Sequence, residues 1–175
     1  NNWRLTEMNN VTYFIHLLIL LFVQLTILDN IQIHSYVYIN IYILAIYILP
    51  YRVQKTAILL FGFSLGFLVD LANHTMGIHT AATTLLAYIR PRLLLFTSNR
   101  EQLDEIHGKQ KISEFNWFFK YILLNNTIFN FVLIFGEAFS FNNLWITLAR
   151  IVLSTLVSTL CMLLYYFITL KKKQN

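Results

Sequence analysis

The sequence predicts an all-α protein, a polytopic bundle of six transmembrane helices, and three observations carry that expectation. Hydrophobic residues make up 57% of the 175-residue chain and charged residues only 12%, far from the balance of a water-soluble domain. The apolar residues gather into segments of about 15 to 25, the length needed to cross a hydrocarbon layer roughly 30 Å thick at about 1.5 Å per residue. Basic residues collect between these segments, at alternate ends. Hydrocarbon offers no partners to backbone N–H and C=O groups, and the long continuous apolar runs favour helices over a closed barrel.

Residues 1–175 are read as a single integral membrane domain. Its first span covers 11–28; no small-residue cleavage site follows, so it is expected to be a retained helix and not a signal peptide. Segment 36–50 breaks the pattern. From Ile31 to Ile43 the residues alternate, IQIHSYVYINIYI, with the β-branched and aromatic types of a strand. An unpaired strand is untenable in hydrocarbon, which predicts a short helix preceded by an extended interfacial stretch and closed by Pro50. Spans three and four are placed at 56–71 and 77–96, joined by a short turn. In span four the hydrocarbon part is expected to end near Tyr88, leaving Arg90 and Arg92 to snorkel at the interface. A mixed-charge stretch, 97–114, reads as a cytoplasmic loop, followed by spans at 115–140 and 144–170.

Charge placement orients this arrangement. With the N-terminus cytoplasmic, six spans put Arg4, the Arg52 and Lys55 turn, Arg90, Arg92, the loop up to Lys120, and the closing Lys171, Lys172 and Lys173 all inside. The turns near Asp29, Asn73 and Asn142 carry no basic residue. A net charge of +5 is thereby accounted for without a polyanionic partner, so nucleic-acid binding is not expected. The single cysteine, Cys161, lies within the last span and supports neither an intramolecular disulfide nor a cysteine-based metal site.

Arg150 is the one basic residue this partition leaves over. It lies about 9 Å inside the outer end of span six, where a lone charge costs about 2.5 kcal/mol or more. Thr147, Arg150, Ser154 and Ser158 share a helix face, giving the span a polar stripe toward the bundle. Asp70, near the end of span three, is the expected ion-pair partner of Arg150, with Glu137 as the alternative acid. The pair is expected to act as a structural latch.

In span three, Gly62, Gly66 and Asp70 recur every fourth residue and form one stripe. Small residues at this spacing let helix backbones approach closely, either within the chain or across a subunit interface in a homodimer. Gly77, Ala81 and Thr84 make span four equally thin, which favours internal packing. His74 and His79 flank the turn beside Asp70, yet two histidines five apart do not share a helix face, so no metal site is expected. Asn125, Asn126 and Asn130 are suited to hydrogen bonding between helices. No Ser-His-Asp set, phosphate loop or carboxylate pair can be assembled, so neither an enzyme nor a cofactor is expected.

Taken in order, Leu49-Pro50 closing a span, GFSLGFLVDL, a short turn, Gly77-Ile78-His79 opening a small-residue helix, and Tyr88-Ile89-Arg90 near its end resemble the rod-shape-determining MreD family, over 48–95. That resemblance implies a non-catalytic scaffold in the bacterial inner membrane, part of the cell-wall elongation machinery. Its implied partners are MreC, through a transmembrane helix and periplasmic region, and indirectly MreB, RodA and a class B penicillin-binding transpeptidase. It further implies a fold similar to the substrate-binding subunits of energy-coupling-factor transporters, and a subunit holding a small vitamin or other solute is the alternative function. A transporter should show polar groups converging on an outer cavity.

Overall fold

The computed structural model of the protein describes residues 10–28, 37–49, 53–98, 115–138 and 144–170. They form α1 (Asn10–Val23, prolonged by a π-helical turn, Gln24–Leu28), α2 (Leu44–Tyr47), α3 (Lys55–Asn73), α4 (Ile78–Thr97), α5 (Phe115–Ala138) and α6 (Leu144–Tyr165, prolonged by a π-helical turn, Tyr166–Leu170). No strand occurs among the described residues. Three stretches, Lys55–Asn73, Asn116–Ala138 and Leu144–Ile168, are long and apolar enough to cross a membrane, and Ile15–Ile27 is a shorter apolar helix. At 20 residues α4 has the length, but its threonines, His79, Arg90 and Arg92 dilute its hydropathy.

Two helices of the bundle turn polar faces inward and apolar faces outward. On α6 the exposed face carries Val152, Leu156, Leu160 and Leu164, whereas Thr147, Ser154, Thr155 and Ser158 are buried. Asn125, Asn126 and Asn130 on α5 are likewise buried, beside Phe129 and Leu133. Water would penalise such a surface and hydrocarbon would not.

Segment 37–49 differs from the expected second span. It runs extended through Ile41, turns, and forms only the four-residue α2, far too short to cross a bilayer as a helix. Of the expected extended stretch, residues 31–36 lie outside the described residues; Val37 to Ile39 are half-buried and Asn40 and Ile41 are buried. From Tyr42 to Tyr47 no residue is more than 1% exposed, and these side chains form the centre of the main apolar core with Leu65, Leu86, Tyr121 and Phe129. One end of the segment, at Tyr38, meets Arg150 of α6; the other, at Leu49, packs on Ile58 of α3 and Ala87 of α4. It therefore threads the length of the bundle as its axis. Within the alternating run only residues 37–41 are described as extended, and there neighbouring helices supply the partners that hydrocarbon lacks.

Helices α3 and α4 form the tightest pair. A Cβ placed on Gly62 would lie 2.8 Å from the Cβ of Ala87 and 3.0 Å from the carbonyl oxygen of Thr83. One placed on Gly66 would lie 2.6 Å from the Cα of Thr80 and 2.7 Å from the carbonyl oxygen of His79. Backbone cannot yield as a flexible side chain does, so glycine is required at both positions. The α4 residues in this contact are His79, Thr80, Thr83 and Ala87, displaced from the expected Ala81 and Thr84. Ala81 is exposed, and the Thr84 hydroxyl donates to the Thr80 carbonyl of its own helix. Gly77 serves the turn and not the packing, with φ +84° and open space where a Cβ would stand. Of the expected topology anchors, Lys55 is exposed at the start of α3, and Arg92 is exposed with its guanidinium 5.4 Å from the Tyr88 ring centre. Arg52, Lys171, Lys172 and Lys173 lie outside the described residues, as does most of the 97–114 loop.

Candidate functional site: a polar spine and its two ends

An extended segment inside an apolar bundle must find partners for its backbone groups, and here side chains provide several of them. The N–H of Tyr38 donates to Ser154 Oγ at 2.9 Å and that of Asn40 to Ser158 Oγ at 3.1 Å; Ser158 Oγ in turn donates to the Tyr38 carbonyl. On the other side Gln24, at the start of the π-helical turn, works as a one-residue strand. Its Nε2 donates to the Ile39 carbonyl at 2.9 Å, and its Oε1 accepts the Ile41 N–H at 2.8 Å. The register has a simple origin. Two residues of extended chain advance about 6.6 Å and four of helix about 6 Å, so alternate N–H groups of the segment meet every fourth residue of α6.

Side chains of α5 and α6 complete the spine. Asn40 Nδ2 donates to Asn130 Oδ1 at 3.3 Å, Asn130 Nδ2 to Thr155 Oγ1 at 3.2 Å, and Asn126 Nδ2 to Thr159 Oγ1 at 3.1 Å. The polar stripe foreseen on span six is thus occupied by the protein's own backbone. Neither Gln24 nor Tyr38 was singled out as a site residue, although an alternating run set against serines four apart is a signal that could have found the pairing.

At one end of the spine Arg150 pairs with Glu137 at 3.9 Å, each side chain 21% exposed. Its Nη2 also donates to the Tyr38 hydroxyl at 2.9 Å, and its guanidinium lies 5.2 Å from that ring's centre. The expected partner, Asp70, is engaged elsewhere. Its carboxylate accepts the N–H of His79 at 3.1 Å, the N–H of Thr80 at 2.7 Å, and the hydroxyls of Thr75 and Thr80. These are the first-turn amides of α4, whose N-cap is Gly77 and which therefore has no capping side chain of its own. Asp70 supplies the cap from the preceding helix, with its charge favourably placed at a helix N-terminus. His79 is turned inward, its Nδ1 3.0 Å from the Tyr42 hydroxyl.

At the other end stands Arg90, expected at the interface and instead fully buried at 0% exposure. The helix continues past it through Pro91 to Thr97, so the side chain starts well inside α4. Its Nη2 donates to the carbonyls of Leu49 and, at 3.4 Å, of Tyr47, closing the C-terminal end of α2.

A shallow cavity of about 360 Å³ beside Arg150 is lined by Trp145, Ile146, Ala149 and Leu153. Among the described residues no group of three or more His, Cys, Asp or Glu side chains could hold a metal. Chemically, the arrangement binds and orients backbone. No protein-family model matches the chain, and neither does any curated protein or solved structure.

Proposed function

We propose that the chain is a non-catalytic membrane scaffold of the bacterial cell-wall elongation machinery, comparable to MreD, that holds an MreC-like partner by its transmembrane helix. The observation that carries the scaffold reading is the engagement of the polar interior. Ser154, Ser158, Gln24 and Asn130, the groups a solute-binding subunit would turn toward a ligand, are bonded to segment 37–49. The residues behind the family resemblance also work as one unit: Gly62 and Gly66 seat α4, Asp70 caps it at His79 and Thr80, and Arg90 ties it to Leu49.

In this reading the chain crosses the bacterial inner membrane six times, five times as a helix and once as segment 37–49, with both termini cytoplasmic. Arg150 and Glu137 then lie toward the outer face, and Arg90 toward the cytoplasmic one. Gly62 and Gly66 are spent on α4, which leaves the opposite face of α3 for the partner helix. There Leu60, Phe63, Phe67 and Leu71 are exposed, and the Phe63 and Phe67 rings stack at 6.1 Å.

Affinity capture of the tagged protein from cross-linked membranes, read by mass spectrometry, should recover an MreC-type protein in fixed ratio, and Phe63→Ala with Phe67→Ala should reduce that recovery several-fold. Depletion should round the cells. Loss of uptake of one solute in an Arg150→Ala variant, with cell shape and partner recovery intact, would replace the scaffold with the transport-subunit alternative.

A further inference from the structure

The Arg90 end of the spine contains more hydrogen-bond donors than the protein uses. Nη2 serves the carbonyls of Leu49 and Tyr47, but Nε and Nη1 of the same guanidinium find no well-formed hydrogen bond among the described residues, and neither do the hydroxyls of Tyr47 and Tyr121. All three side chains are at most 1% exposed. They are also neighbours: the two tyrosine rings meet edge to face at 5.9 Å, and the guanidinium is close enough to the Tyr121 hydroxyl to act on it both electrostatically and as a hydrogen-bond neighbour. Trp117, stacked on Tyr121 at 5.5 Å, closes one side. Guanidinium nitrogens can only donate, and a tyrosine hydroxyl donates as readily as it accepts.

Among the described residues no acid lies beside this guanidinium. Asp70 and Glu137 are the acids among the described residues, and both are committed near the opposite end of the bundle. A buried cation needs a counter-charge or a full set of acceptors, and two carbonyls on one nitrogen are neither. We propose that Arg90, Tyr47 and Tyr121 form a binding site for a small monovalent anion of chloride size.

Three features select that class. The single guanidinium charge is neutralised by one negative charge. Full burial of all three side chains excludes an anion that trails a chain to the surface, such as a lipid headgroup or a peptide carboxylate. A spherical acceptor takes hydrogen bonds from Nε, Nη1 and both hydroxyls without presenting a further oxygen to the nearby carbonyls. The inference is independent of the scaffold reading and would stand for any function of the bundle.

Thermal unfolding of the full chain in a non-ionic detergent tests it, with sodium chloride or bromide exchanged for sodium gluconate at constant ionic strength. The wild type should show a saturable rise in Tm with either halide, and none with gluconate, which is too bulky to enter. Tyr47→Phe with Tyr121→Phe removes two hydroxyls that hold no backbone group among the described residues, so the fold should persist while the halide midpoint rises about tenfold or more, as for loss of charge-assisted hydrogen bonds. Lys120→Gln, which removes an exposed cation on α5, should keep the wild-type midpoint. Broadening of the chloride-35 NMR line by wild-type protein, lost in the double variant, is a second readout. The proposal is overturned if Tm is the same in chloride and gluconate and the line stays narrow. It is equally overturned if the double variant keeps the wild-type midpoint, which would leave the guanidinium solvated by water alone.

Discussion

The two ends of the bundle each hold an arginine that an apolar chain must accommodate, and they do so by opposite means. Arg150 sits at the more open end with an acid, Glu137, and a tyrosine as partners, and keeps 21% of its side chain exposed. Arg90 is fully buried and leans on two main-chain carbonyls. A partly solvated ion pair contributes little because water serves each charge almost as well, whereas a buried donor that satisfies buried carbonyls has no substitute. The residue that looked like an intruder is therefore the less consequential of the two. The one that looked like an interfacial anchor locks the core segment in place.

Replacement of Arg90 by methionine should strain this comparison most. The carbonyls of Tyr47 and Leu49 lose their donor, and stability measured by unfolding in a denaturing detergent should fall by about 3 kcal/mol. Ser158→Ala comes next: it strands the Asn40 N–H and the Tyr38 carbonyl in the interior, for about 2 kcal/mol by the same assay. If it cost nothing, the axial segment would not be held as described. Asp70→Ala uncaps α4 and should cost about 1 to 2 kcal/mol, with hydrogen exchange accelerated selectively at the amides of His79 and Thr80. Least affected should be Arg150→Gln. A double-mutant cycle with Glu137→Gln is expected to return a coupling below about 1 kcal/mol, and a value of several would make the two ends equivalent.

Much of this arrangement is legible in the chain, and the exceptions share a cause. The glycine stripe of α3 and the polar stripe of α6 follow from fourfold spacing alone, since helix geometry dictates which side chains share a face. Asp70 lies on the predicted stripe, but its partner depends on the turn. Once Gly77 takes a left-handed φ and offers no side chain, the free amides at His79 and Thr80 are nearer to the carboxylate than any arginine. The burial of Arg90 is not legible because Pro91 and Arg92 beside it suggest a helix leaving the apolar layer. What retains it is the Leu49 carbonyl, a backbone group that leaves no mark in a side-chain pattern. Residues 37–41 carry a true extended signal that hydrocarbon alone would forbid; the permission comes from Gln24 on the preceding helix and from Ser154 and Ser158, far along the sequence.

That distance sets an order of events during biogenesis. Tyr38 and Asn40 find their serines 116 and 118 residues further along the chain. A helix satisfies its own backbone and can partition into lipid as it emerges from the ribosome, but an extended stretch has no such autonomy. On the membrane reading, the axial segment must wait at the surface, or in the shelter of the insertion machinery, until α6 has been synthesised. A nascent chain arrested before Ser154 would then lack two crossings of the finished protein, the last helix and the axial segment that waits for it, and everything after that segment would have to be reoriented or retained until the last helix arrives.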